Sequence, residues 1–330
     1  MFDLPLPQIK GIAYWDNGIK LNQDREENSD LDSLAWPSHE LFLDAHKQCV
    51  FPRGICAQVM TSRGCNYRCV FCSNTTHGKG VRFRDIAKVF DEIDYLINKL
   101  GVRYVEIIDE SFTSFPERVK EFCKGIIKKN YKGVYFVLNN GIRPDISDTS
   151  MYKLLKKAGF GQLRFGIESG SQVVLDAMQK DFTLEKVKSA VNSARDVGIK
   201  AAAFFMFGFP SETQETMRQT IDFAKSLPLC RAYFAIATPF PGSPLHDIVK
   251  KRGRFLKDMD LESTSILKAC FQIPGLDPQE VEDMLKQAYK EFYLRPVFLS
   301  KRIILEGPVL LTMLAKRLRI ETNLKYGQKK

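Results

Sequence analysis

Between about residue 57 and residue 238, short apolar runs of strand length alternate with longer amphipathic stretches, and this alternation constrains the fold more than any other feature of the chain. The runs occupy residues 57–61, 104–108, 134–138, 163–167, 201–207 and 233–238, with helix-like stretches at 86–100, 117–129, 149–158, 184–197 and 213–227 between them. Gly101, Gly133, Gly159 and Gly198 stand where those helices should end, as C-terminal caps do. Strands alternating with helices build βαβ units and a parallel sheet. The expected fold is α/β, a partial (β/α)6 TIM-like barrel. Ligands in such folds bind at the carboxyl ends of the strands, so the residues just after each run are the ones to inspect.

Past the first run the sequence reads Thr61-Ser62-Arg63-Gly64-Cys65-Asn66-Tyr67-Arg68-Cys69-Val70-Phe71-Cys72. Three of the eight cysteines thus fall within eight residues, spaced C-x3-C-x2-C. The N-terminus shows no basic segment followed by an apolar one, so no export signal is read there. Clustered thiols in a chain without export point to metal rather than to disulfides. Thiolates suit iron–sulfur clusters and zinc. Three on one loop can hold three corners of a cubane and leave one iron open to a non-protein ligand. A structural zinc site wants four protein ligands, and His77 or Cys56 could complete one.

Polar residues follow the later runs. Asp109 and Glu110 are consecutive acids able to accept hydrogen bonds from an ammonium. Asn139 and Arg143 offer an amide and a fork for a carboxylate, although Asn140-Gly141 and Arg143-Pro144-Asp145 are also good turn formers. Glu168 should point into the barrel mouth, and Ser169 beside it could equally cap a helix. Gly208 and Pro210 shape a loop that lets backbone approach a ligand. Glu212 reads as part of that loop or as a first-turn acid.

Cys65, Cys69 and Cys72, with Phe71 in the last spacer, resemble the signature of the radical S-adenosylmethionine (SAM) superfamily. The resemblance implies a [4Fe–4S] cluster on the three cysteines and SAM on the open iron. It places Phe71 beside the adenine, Asp109 or Glu110 at the amino group, Arg143 at the carboxylate and Glu168 at the ribose or methionine. Gly208 and Pro210 would face the adenine, with Asn139 and Ser169 as further contacts. It also implies reductive cleavage of SAM to a 5′-deoxyadenosyl radical, electrons from reduced ferredoxin or flavodoxin, and an anaerobic setting. Segments 31–37, 78–84 and 140–145 further resemble the cobalamin-type branch, which includes anaerobic magnesium-protoporphyrin ester cyclase, hopanoid-modifying enzymes and several methylases. Members usually carry an N-terminal cobalamin-binding domain. No D-x-H-x-x-G motif occurs here, so the expectation is that a separate subunit supplies cobalamin, that the enzyme works without it, or that the sequence is truncated at its N-terminus. The leading expectation is an enzyme acting on an organic substrate such as a lipid or tetrapyrrole. The alternatives are a methyltransferase subunit with cobalamin on a partner chain, and an iron–sulfur or zinc module without turnover.

Three regions are expected: a connecting arm over 1–50, the barrel core over 51–246, and a mostly helical extension over 247–330. In the last, Asp277-Pro278 opens one helix, and a basic amphipathic helix follows over about 297–318, interrupted at Gly307-Pro308. No run of about 18 apolar residues marks a membrane span. The net charge of +10 comes without an arginine- and aromatic-rich nucleic-acid motif, which favours a basic surface over a nucleic-acid binder. The expected location is cytoplasmic. The basic helix either packs on the barrel or touches a membrane surface.

Overall fold

The computed structural model describes residues 4–42, 54–73, 80–256, 265–296, 298 and 300. The chain enters as an antiparallel hairpin of β1 (Ala13–Trp15) and β2 (Ile19–Leu21). Its turn sets Asn17 and Gly18 at positive φ, as tight hairpin turns require.

β3 (Ile55–Val59) leads the barrel, and a two-residue ribbon of β4 (Ser62–Arg63) and β5 (Arg82–Phe83) brackets the cysteine loop. β6 (Val102–Ile107) and β7 (Tyr135–Leu138) continue the first half-sheet in the order β3-β6-β7. The second half-sheet orders β8 (Gln162–Glu168), β9 (Lys200–Phe207) and β10 (Arg231–Ile236) as β10-β9-β8, and all four pairings within the halves are parallel. The halves meet between β7 and β8 through bridges joining Phe136 to Phe160 and Ile142 to Phe165. Among the described residues β3 and β10 do not pair, so the barrel stays open on that side.

The helices are α1 (Ile86–Asn98), α2 (Pro116–Lys129), α3 (Thr149–Lys157), α4 (Gln172–Ala177), α5 (Leu184–Asp196), α6 (Gln214–Ser226), α7 (Pro244–Arg252) and α8 (Pro278–Tyr293). Asp85, Asp148, Thr183, Thr213 and Asp277 cap their first turns by accepting from backbone amides, each contributing about 1 kcal/mol. Along the strands, alternate residues such as Val105, Ile107, Phe136 and Leu138 are buried against these helices, and the intervening residues face the lumen.

α8 closes one edge of the barrel. Tyr289 and Tyr293, one helical turn apart, each bond both backbone groups of a β10 residue. The Tyr289 hydroxyl donates to the Phe234 carbonyl at 2.9 Å and accepts from its amide at 3.2 Å; Tyr293 does the same at Ala232, at 2.8 and 3.3 Å. The edge strand is thereby removed from pairing with another chain.

The six strands and five long helices lie within about two residues of their expected positions. The first strand ends at Val59 rather than at 61 because the Thr61 and Ser62 hydroxyls turn inward to the Asp109 carboxylate. α4 has no counterpart in the sequence pattern, since its six residues are too few to show a helical period. α7 and a small ribbon of β11 (Arg254–Phe255) and β12 (Phe271–Gln272) fill the region after Pro244. His77 and, apart from Phe298 and Ser300, segment 297–318 lie outside the described residues. No helix among those described is long and apolar enough to cross a membrane.

Candidate functional site

The cysteine loop is set by the two acids that follow β6, and they do different work. Asp109 is buried and accepts from the Thr61 amide at 2.6 Å, the Thr61 hydroxyl at 2.5 Å and the Ser62 hydroxyl at 2.6 Å. Burial pushes its carboxyl up, against the pull of those hydrogen bonds. Glu110 accepts from the Gly64 amide at 3.1 Å and reaches a cavity that Asp109 does not line. Gly64 itself has φ +94°, and a Cβ there would lie 2.0 Å from the Gly80 carbonyl oxygen. The middle of the loop is pinned on both sides, Val70 donating to Met178 at 3.0 Å and accepting from Leu245 at 2.9 Å.

The cavity holds about 520 Å³, within the range of small-ligand sites. Cys65, Cys69 and Cys72 line it together with Tyr67 and Phe71; Gly141 and Gly166 form part of the wall, and Phe204, Met206 and Tyr233 supply apolar surface. A Cβ on Gly141 would come within 3.3 Å of the Gly166 backbone, so the segment after β7 packs closely on β8 here and a larger residue would push them apart by a few tenths of an ångström. Burial pushes the Cys69 thiol up while Lys180 and Arg143 pull it down; the Cys72 thiol is raised by partial desolvation and then by Cys69 and Cys65. Among the described residues no three His, Cys, Asp or Glu side chains converge tightly enough for a single ion. Three thiols around one cavity suit the wider frame of a cluster.

Three charged groups complete the wall. Arg143 is held by Asp145 through Nε at 2.9 Å and Nη2 at 3.0 Å, and its guanidinium lies 3.7 Å over the Tyr67 ring. Its Nη1 is buried with no hydrogen-bond partner, an orphan that a ligand carboxylate would satisfy. Lys180 is buried, 3.3 Å from Glu168 Oε1, with its ammonium near the rings of Phe71 and Phe182. Glu168 arrives by a β-bulge: Gly166 opposes Phe204, yet Glu168 opposes Phe205, and Glu168 takes φ +72°. A bulge re-aims a side chain in this way.

Of the residues singled out in the sequence, Phe71, Glu110, Arg143, Glu168 and the three cysteines share the cavity. Asn139 does not line it; its amide nitrogen donates to Glu106 one strand away. Ser169 is fully buried behind it, 3.2 Å from the Thr220 hydroxyl and accepting from Ser171. Gly208 and Pro210 also lie outside the lining. Gly208 at φ +82° abuts Val281 of α8, where a Cβ would meet Cγ1 at 3.0 Å. Lys180 escaped the sequence reading, because it stands between Gln179 and Asp181 in a polar stretch that reads as solvated loop.

Glu212 closes the Gly208–Pro210 turn by accepting from the Phe209 amide at 2.9 Å, while its Oε1 is buried without a partner. Burial pushes its carboxyl up to about 8. Its folded value lies above its unfolded one, so the stability it contributes is full below the unfolded value and lost as pH rises through about 8. Melting temperature should therefore fall between pH 5 and pH 8.5, and Glu212→Gln, an isostere of the neutral acid, should flatten that fall. An unchanged slope in differential scanning calorimetry would show that another group carries it.

A profile described as the Radical SAM superfamily matches residues 59–224, half of the chain. An uncharacterized methyltransferase of Pyrococcus horikoshii is 31% identical over 301 residues, covering 90% of this chain and 64% of its own length. The anaerobic magnesium-protoporphyrin IX monomethyl ester cyclase of Rubrivivax gelatinosus is 28% identical, covering 88% of this chain and 52% of its own. The chain thus spans between half and two thirds of these relatives. In fold it is similar to the radical SAM methyltransferase TsrM of Kitasatospora setae, solved with cobalamin and a [4Fe–4S] cluster, with TM-score 0.61, 19% identity, and coverage of 74% of this chain and 53% of that one.

Proposed function

Since the chain belongs to the radical SAM superfamily, we propose that it is an enzyme that holds a [4Fe–4S] cluster on Cys65, Cys69 and Cys72 and reductively cleaves SAM. When bound and reduced, the cluster would supply the electron that splits the SAM sulfonium into methionine and a 5′-deoxyadenosyl radical, and that radical would take a hydrogen atom from the substrate. The observation that carries this reading is the convergence of three thiols, an orphaned arginine Nη1 and a carboxylate pair on one cavity at the carboxyl ends of the strands.

The chain's own residues then divide the binding. Glu110 accepts from the SAM ammonium, with its second contact at the Gly64 amide holding it in place. Arg143 and Lys180 take the carboxylate, Arg143 through the nitrogen that lacks a partner. Glu168 accepts from the ribose hydroxyls or the ammonium, and Phe71 lies along the adenine. The apolar wall of Phe204, Met206 and Tyr233 excludes water and suits an apolar organic substrate, in keeping with lipid or tetrapyrrole chemistry. Reduced ferredoxin or flavodoxin would supply the electron. Similarity to methyltransferases favours a second reading, methyl transfer with cobalamin carried by a separate subunit, which predicts a methylated product only when that subunit is present.

The test is 5′-deoxyadenosine release from anaerobically reconstituted protein given SAM and dithionite, followed by chromatography with mass detection. Release that disappears in the Cys65, Cys69, Cys72 triple alanine variant supports the proposal. A well-formed cluster with no release, with or without a cobalamin protein, favours a module without turnover.

Within the site, Glu110→Gln and Lys180→Met should each weaken SAM binding about tenfold or more, the scale of one charge-assisted hydrogen bond. Asp109→Asn should instead lower the melting temperature, because Asp109 knits the loop from behind. Calorimetric titration with SAM beside thermal melts separates the two effects. A stable Asp109→Asn protein with lost SAM affinity would reverse the assignment of the two acids.

A further inference from the structure

A second cavity lies between the N-terminal arm and the barrel, and nothing in the SAM chemistry uses it. It holds about 340 Å³. Leu34, Ala35, Trp36 and Pro37 of the arm form its roof, and Met60 and Ile108, just past the ends of β3 and β6, form its floor. It therefore opens at the carboxyl ends of the strands, where parallel α/β folds take ligands.

The roof is suspended between two anchors. On one side Asp32 accepts from the Asp85 amide at 2.7 Å and lies 3.6 Å from Arg84. On the other, buried His39 meets buried Glu92 at 3.0 Å, and Glu92 in turn takes Arg84 at 2.5 Å. The arm is thus fixed over the cavity.

The charges in the lining are unequally committed. Arg84, Glu92 and His39 are spent on one another. Arg63 is not: its Nε meets the Met60 sulfur at 3.1 Å, and its two terminal nitrogens have no hydrogen-bond partner among the described residues. An apolar chamber with one uncommitted guanidinium is complementary to an amphipathic anion. With Glu92 in the lining and one uncommitted cation among its described residues, a monoanion fits better than a phosphate monoester, which carries nearly two charges.

We propose that this chamber is a binding site for an amphipathic carboxylate, its apolar body under Trp36 and its carboxylate on the Arg63 guanidinium. The site stands independently of the cluster chemistry, so its test reads binding.

The chain has two tryptophans, Trp15 and Trp36. In the full-length, cluster-loaded Trp15→Phe protein, emission at Trp36 reports on the chamber. Titration with decanoate should give a saturable change, and decyl phosphate and 1-decanol should each bind at least about tenfold more weakly. Arg63→Leu should weaken decanoate about tenfold or more and leave 1-decanol unchanged. Ala35→Phe, which fills the chamber from the exposed arm, should abolish the response to all three. Equal affinity for decanoate and 1-decanol, or decanoate binding untouched by Arg63→Leu or Ala35→Phe, would overturn the proposal. Preference for decyl phosphate would overturn the carboxylate assignment.

Discussion

Cys69→Ala is expected to leave a folded chain that cannot assemble its cluster. Cys69 sits at the centre of the thiol loop, and the loop around it is fixed by bonds that do not use its side chain: Val70 to Met178 and Leu245, and the Cys72 amide to the Cys69 carbonyl. The fold should survive, and two thiolates cannot hold a cubane. Iron and sulfide content should drop to the background of an unreconstituted sample, and 5′-deoxyadenosine release with it. The matched control is Cys123→Ala. That thiol is buried within α2, where burial pushes it up to about 12, so it is a packing group and its loss should spare the cluster. Full iron content in Cys69→Ala protein would remove the loop from metal binding altogether.

The second large effect is expected from a residue with no side chain. Gly64→Ala forces an L-residue into φ +94° and drives a Cβ to 2.0 Å from the Gly80 carbonyl oxygen. The left-handed conformation alone costs about 1–2 kcal/mol. The overlap cannot be relieved by a rotamer, because a Cβ is fixed by its own backbone and the Gly80 oxygen is itself backbone. The chain must shift where β4 meets β5, and the Gly64 amide then leaves Glu110. Cluster occupancy and SAM affinity should both fall steeply while the barrel still melts cooperatively. Gly80→Ala is the contrast: φ is +82°, but its Cβ would meet nothing within 4 Å, so it should show the conformational cost without loss of the cluster. If the two variants behave alike in iron content and SAM titration, strain rather than overlap governs the loop.

How much of this was legible in the chain depended on the kind of signal. Amphipathic stretches of nine residues or more, and the strand-length apolar runs alternating with them, were readable, and so was a motif confined to eight residues, Cys65 to Cys72. Which residue after a strand points inward was not. Asp109 and Glu110 are neighbours with the same chemistry, and only the hydroxyls of Thr61 and Ser62, far away in sequence, decide that Asp109 turns back. Asn139 and Ser169 looked equally available, but cross-strand partners, Glu106 and Thr220, claim them. Lys180 was not legible, because it follows α4 in a loop between Gln179 and Asp181, and only the fold buries it beside Glu168. The arm read as a connection, since its pinning to Arg84 and Glu92 rests on residues that are about fifty positions apart in sequence.

The bulge at the end of β8 has an implication for the history of such a molecule under improvement. Glu168 holds φ +72°, a setting in which glycine rests at ease and glutamate does not, at about 1 kcal/mol or more. Any search that rewards robustness alone will find relief at this position and will take it by deleting the carboxylate that the bulge turns into the cavity. Fold and site thus disagree about residue 168, and a working protein is one in which the site has prevailed.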